Sequence, residues 1–347
     1  MSMLRLAVSC VVLLAASSAA ARDVRVRLAR SQSTLQLKGA VRCDGKRFAA
    51  PVVRLDAGRM SVLGRTIASG RCTGRGQFAY GGVTWSGGVD LRVYGDRLIL
   101  VGIIELERYV AGVVAAELLP RWPVESLKAM AVAARSYTLW RMGRTKSQPY
   151  HLTADVSSQV FRGLSRVPQP VLKATEATKG QLLVFKGKPI AAYYHACAAG
   201  RTATAQEVWG RGEPYLQSVV SPDLACNRIN WRSAVHVNQA GKKLGVGSVR
   251  KVRVTGFTPS NRVEEVEVKG TTATRLFSGQ DLRKRLGWAL VRSTDFSAEI
   301  QGRQLVLTGH GSGHGVGMSQ WGARGFAERG KGYREILAHY YPGAELR

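Results

Sequence analysis

Near Val101 the hydrophobic period of the chain changes from two to about 3.6, and this switch limits the folds open to it. From Arg22 to about Val101 short alternating runs recur: Val24-Arg-Val-Arg-Leu, Leu35-Gln-Leu-Lys, Phe78-Ala-Tyr and Val89-Asp-Leu-Arg-Val-Tyr. Glycines and the turns Asp44-Gly45 and Gly95-Asp96 separate them, which is the pattern of a β-rich segment. Beyond it, Leu106, Tyr109, Val110, Val113 and Val114 fall at i, i+3, i+4, i+7 and i+8. That spacing predicts an amphipathic helix, and Pro120 must end it. Pro123 opens a second helix, with Glu125 at its positive dipole end, running through Ala129 to Leu139. A third is predicted over 171–178, ending at Gly180. The runs Leu182–Phe185 and Ile190–Tyr194, joined by Lys186-Gly187-Lys188, read as a hairpin. Strands near 252–254, 263–268 and 305–308 precede a glycine-rich loop and a helix ending at Pro342. The expected fold class is α+β: a β-rich N-terminal part over 22–100 followed by a mixed helix/strand core over 101–347. No repeat or low-complexity linker divides them, so a shared core is open to them.

The first residues bear on compartment. Arg5, the apolar run Leu6–Ala16 and the small residues Ala19-Ala20-Ala21 read as a signal peptide over 1–21, so an exported protein of the periplasm or cell wall is expected. No later window reaches the roughly 18 uninterrupted apolar residues of a spanning helix, so no transmembrane span is expected in the mature chain. Removing the signal peptide discards Cys10 and leaves Cys43, Cys72, Cys197 and Cys226 where disulfides are permitted. Local pairs, Cys43 with Cys72 and Cys197 with Cys226, are the simplest of three connectivities. The charge is extreme, 51 Lys+Arg against 23 Asp+Glu for a net +28. Such a field favours a polyanionic partner. Export makes nucleic acid a poor candidate and leaves cell wall, acidic polysaccharide or anionic membrane, although a basic surface also serves solubility alone.

Glu117 is the most informative single position. It lies eleven residues after Leu106, and at about 100° per residue it returns to the apolar side of that helix. Desolvation there would raise its pKa and let it hold a proton, as a general acid requires. The plainer alternative is a helix-end carboxylate that turns to solvent or pairs with a lysine. Lys128 and Arg135, two turns apart on the second helix, could grip a carboxylate or sugar oxygens, or form an ordinary solvated face. His195-Ala-Cys197 with Cys226, and His310 with His314, offer candidate zinc ligands, but neither Cys-x-x-Cys nor His-Glu-x-x-His is present. A structural disulfide with hydrogen-bonded histidines is the preferred reading. From Gly309 to Gly317 glycine recurs at every second position, which suggests backbone approaching a ligand, and Trp321 beyond it could stack on a sugar or fill a core.

Taken together, these segments resemble the SpoIID/LytB family, the stage II sporulation protein D and amidase-enhancer proteins. The matching stretches are Leu106–Glu117, Leu127–Thr138, Ser158-Gln-Val-Phe-Arg-Gly163, Tyr194-His195 with Thr202 and Val208-Trp209-Gly210, Gly313–Ala323 and Ile336–Gly343. The resemblance implies a lytic transglycosylase acting on peptidoglycan glycan strands, preferably ones stripped of stem peptides by amidases. It places Glu117 at the catalytic glutamate and Lys128 and Arg135 among basic residues of the cleft. Ser158, Gln159, Tyr194, His195, His314, Gln320 and Trp321 become the expected substrate contacts. No cofactor is expected beyond a candidate structural zinc at His195, Cys197 and Cys226, and an N-acetylmuramoyl-L-alanine amidase is the implied partner. Water is not consumed in that reaction, so one carboxylate suffices; Asp155 is the candidate second carboxylate if hydrolysis occurs instead. The chain departs from the family at Cys197-Ala-Ala-Gly200, where many members carry glycines. Its N-terminal part carries little family signal, and a wall-binding role there rests on basic charge.

Overall fold

The computed structural model describes residues 22–347 apart from Leu224, Asn227 and Arg228, so the expected signal peptide lies outside the described residues. Its largest sheet has seven strands, in the order Leu152–Thr153, Asp23–Ser31, Arg97–Glu105, Val83–Tyr94, Arg71–Tyr80, Ala40–Cys43 and Lys46–Ala49. The short strand Leu152–Thr153 runs parallel to Asp23–Ser31, and every other neighbour is antiparallel. Alternation in the sequence becomes two faces: Val24, Val26, Leu91, Leu98, Leu100 and Ile104 are fully buried on one side. Cys43 and Cys72 sit directly opposite each other on that side and form a disulfide. The expected β-rich N-terminal part is therefore present, and it supplies most of one continuous sheet.

The sheet runs straight into the helices. Strand Arg97–Glu105 ends at Glu105, whose carboxylate accepts from the backbone N–H groups of Glu107 and Arg108 and so caps α1, Leu106–Glu117. The positions predicted from the 3.6 period, Leu106, Tyr109, Val110, Val113 and Val114, are all buried, together with Ala111 and Gly112. Next comes α2, Val124–Arg144, with Pro123 as its cap. Residues 129–134 of α2 are buried on every side, because α1, α3 (Gln169–Ala177), α7 (Gln320–Glu328) and α8 (Tyr333–Tyr340) all pack around it. Alanine-rich stretches permit that close approach. One apolar cluster extends from the sheet through these helices, so the β-rich and helical parts share a core.

Two parts depart from the sequence reading. Leu183–Phe185 pairs with Lys188–Pro189 as the turn predicts, and the Ile190 N–H still donates to the Leu183 carbonyl, but Ala191 to Tyr193 leave the ladder. The Ala192 and Tyr193 N–H groups turn back onto the Ile190 and Ala191 carbonyls. Tyr194–His195 instead lies parallel to Met318–Ser319. Following the short, Thr204-capped α4 (Ala205–Trp209), residues 230–310 form a second lobe with its own apolar cluster. Two three-stranded antiparallel sheets, α5 (Val237–Leu244) and α6 (Gly279–Leu286) build it. No helix of the described residues is long and apolar enough to cross a membrane.

Candidate active site

Glu117 is the last residue of α1 and is only partly accessible to solvent. Its carboxylate is held from two distant parts of the chain. The backbone N–H of Val160 donates to Oε1 at 3.0 Å, and the side-chain amide of Gln320 donates to Oε2 at 2.9 Å. Burial pushes the carboxyl above its ordinary range, against the downward pull of Gln320, Val160, Tyr194 and Arg162. Tyr194 adds a hydroxyl beside Glu117 that burial, Glu117 and Tyr109 keep protonated. The result is a carboxyl group poised to hold a proton, fixed at both oxygens, with part of its surface still open.

The supports of this arrangement follow from local sequence. Ser319 caps α7 by accepting from the Gly322 N–H, which sets Gln320 at the first turn facing Glu117. Trp321, next on α7, meets Trp122 edge to face with centroids 5.0 Å apart, and the Arg324 guanidinium lies 4.8 Å over the Trp321 ring. Gln159 is buried and serves the loop rather than the surface. Its Oε1 accepts from Tyr109 and Thr138, and its amide donates to the Ala134 carbonyl, so the loop that presents Val160 is pinned to α1 and α2. Ser158 accepts from the Thr153 N–H in the same loop.

Lys128 and Arg135 stand elsewhere than the sequence reading put them. Arg135 is fully buried and makes a two-pronged pair with Glu107, at 2.8 and 2.6 Å, while also donating to the Gln181 carbonyl. Glu107 lies ten residues before Glu117, about 15 Å away along the helix axis. Lys128 pairs with Glu125 at 2.7 Å and lies over the Tyr333 ring. Two turns of spacing put both cations on one side of α2, but that side faces packed neighbours, so each found an acid within the fold.

The histidines are likewise turned inward. His195 Nδ1 lies 3.1 Å from the Val316 carbonyl, which assigns its proton to Nδ1 and leaves a buried, unpartnered Nε2. His314 Nδ1 accepts from the Val316 N–H, and burial pulls its pKa down to about 3. Both rings are neutral and pack on one another and, through His314, on Tyr193 and Trp209. The alternating glycines explain this placement. At Gly313 a Cβ would stand 2.6 Å from the His195 Cβ, and at Gly317 it would stand 2.1 Å from the Tyr193 carbonyl, both at positive φ. The backbone approaches its own chain there, not a ligand. His310 sits apart, half exposed beside Asp295.

Cys197 and Cys226 are buried side by side with their sulfurs within hydrogen-bonding reach, but as two thiols rather than the expected disulfide. Contact with Cys226, then burial, pushes the Cys197 thiol far up. Among the described residues no three His, Cys, Asp or Glu side chains converge as metal ligands. His195, Cys197 and Cys226 thus do not come together as a three-ligand set among the described residues. Asp155 is closed into its own turn, accepting from Thr153 and from the Ser157 N–H and hydroxyl. Burial opposes its ionisation, but those hydrogen bonds and Arg27 hold it below the usual range.

Sequence reasoning missed the Val160 N–H, because backbone donors leave no side-chain signal, and it missed Trp122 as the partner of Trp321. The Ser158–Gly163 motif marked the right loop without revealing which atom works. The family described as Stage II sporulation protein, SpoIID, matches residues 94–185, which include Glu117 and the Val160 loop. The chain is 33% identical over 275 residues to an uncharacterized protein of Brachyspira hyodysenteriae, covering 78% of this chain and 74% of that one. It is 31% identical over 277 residues to the Stage II sporulation protein D of Bacillus subtilis, covering 74% and 79%. The Amidase enhancer of Bacillus subtilis is 28% identical over 286 residues, 68% of this chain and 40% of that protein. With relatives this similar over most of this chain, the chain belongs to the SpoIID/LytB family.

Proposed function

We propose that this protein is a lytic transglycosylase that cuts peptidoglycan glycan strands, preferably peptide-free ones, in the periplasm or cell wall. The observation that carries this reading is Glu117: a partly open carboxyl held above its ordinary pKa, with Asp155 closed into a separate turn. Protonated Glu117 donates to the glycosidic oxygen as the bond from the anomeric carbon breaks. The sugar's own C6 hydroxyl oxygen then bonds to that carbon and its proton returns to Glu117. An anhydro end forms, no water is consumed, and the acid is regenerated. One carboxylate performs both steps, whereas hydrolysis would need a second to activate water. Gln320, Val160 and the Tyr194 hydroxyl keep the carboxylate oriented during the interval in which it is charged. Trp321, braced by Trp122 and Arg324, offers a ring face for a sugar.

The likeness to an amidase enhancer supports a second reading, a non-catalytic module that binds wall and stimulates an amidase. Replacing Glu117 with glutamine separates the two. The enzyme reading expects cleavage of peptide-free glycan to disappear; unchanged cleavage, or amidase stimulation that is the sole activity and survives the change, would reject it.

A further inference from the structure

Register decides which arginines of the large sheet share a face. Arg42 stands opposite Arg47 on one neighbouring strand and opposite Thr73 on the other. Arg71 and Arg75 lie two residues either side of Thr73, and Arg71 faces Arg92. Residues two apart on a strand, or directly opposed across strands, project from the same side. These five arginines therefore share one face, and Cys43, Cys72 and Leu91 belong to the other, apolar face. Asp90 is only 3% exposed among them, bound by Arg71 at 2.9 Å and by Arg92, so its charge is consumed locally.

Arg42, Arg47 and Arg75 remain exposed. The nearest acid, Asp23, is 4.0 Å from Arg75 with both side chains largely in water, a pair worth little. The three line a hollow of about 470 Å³ whose other walls are small or apolar residues and Thr73. Like charges gathered without a counter-ion repel one another, and an anion relieves that repulsion. Guanidinium forks match carboxylates with two parallel hydrogen bonds. No aromatic ring lines the hollow, so a nucleic acid base finds nothing there to stack on.

We propose that this arginine face is a non-catalytic docking surface for a carboxylate-bearing glycan strand. The choice of carboxylate rests on the transglycosylase reading, since a strand freed of its peptides exposes a carboxylate at each muramic residue. The opposite face of the sheet packs in the cluster that contains α1. The docked strand therefore lies apart from Glu117, and its grip holds the protein on the wall between cuts.

The test uses the mature chain and oligosaccharides of hyaluronan, a linear glycan with one carboxylate per disaccharide, with neutral chitin oligosaccharides and polyphosphate as comparisons. Titration should show salt-sensitive hyaluronan binding. In Arg42→Ala/Arg47→Ala/Arg75→Ala this binding should weaken about tenfold, the product of three weak surface pairs. An equal loss of charge on the second lobe, Lys242→Ala/Arg250→Ala/Lys251→Ala, should leave it unchanged. Equal weakening in both variants would overturn the proposal, as would polyphosphate binding without hyaluronan binding. Cleavage plays no part in this measurement, so its failure would leave the catalytic reading standing, and failure of that reading would leave the titration intact.

Discussion

Arg135 and Glu107 provide the sharpest quantitative test of the packing. Truncating Glu107 to alanine leaves a fully buried guanidinium with one carbonyl partner, that of Gln181. Breaking a buried pair from one side costs about 3–5 kcal/mol, because the remaining charge stays desolvated. Domains have only about 5–15 kcal/mol in total, so the loss is large. At roughly 2–4 °C per kcal/mol, the melting temperature should fall by roughly 6–20 °C. Arg135→Ala should cost a comparable amount, and the double variant should cost much less than the sum of the two. Urea denaturation followed by circular dichroism gives the stabilities, and glycan cleavage is measured per folded molecule. If the single variants lose less than about 1 kcal/mol, or lose cleavage while remaining fully folded, then Arg135 acts at the site and the pairing account fails.

Other expectations follow from the buried titratable groups. His151, with a pKa pulled down to about 4, His314, pulled to about 3, and His195, held well below its ordinary value by burial, are neutral in the fold and would protonate near 6.5 when unfolded. The unfolded chain therefore binds more protons between those values, and stability should fall as pH drops from about 6.5 towards 4, by up to about 1.4 kcal/mol per pH unit for each histidine. His314→Gln should flatten that slope, and an unchanged slope in pH-dependent urea titrations would contradict the placement. Glu117 has the opposite sense: its raised pKa means that ionisation costs stability as pH rises through the folded value. Glu117→Gln should thus gain stability relative to the parent as pH rises above the ordinary carboxylate range, and a difference independent of pH would remove the desolvation argument. In an oxidising compartment the adjacent Cys197 and Cys226 thiols should join. Exported protein alkylated in denaturant without reductant should take no label at either, as read by mass spectrometry, and two labels would refute the bridge.

Much of the architecture was written in local periodicity. The 3.6-residue spacing from Leu106 to Val114, and Pro120 beyond it, located α1 and set Glu117 on its inner side, since a helix face is a property of neighbouring residues alone. Alternation in the first strands likewise foretold one apolar and one polar face, and Cys43 and Cys72 proved to be opposed across strands. What stayed hidden depended on long-range contact. Gln320 reaches Glu117 from 203 residues away, and the Val160 N–H carries no side-chain mark. Arg135 was misread because its spacing from Lys128 reveals a shared helix side but not whether that side meets solvent. The glycines of 309–317 announced close approach without saying to what, and the second lobe was obscured because α5 and α6 are too short for periodicity to stand out.

The central claim is that a single carboxyl group, Glu117, cleaves glycan without water. Its most direct test is digestion of peptide-free glycan in water enriched in oxygen-18, with the new chain ends weighed by mass spectrometry. The account predicts anhydro ends that carry no heavy oxygen and that vanish with Glu117→Gln. Reducing ends containing one heavy oxygen would contradict it and would make the protein a hydrolase.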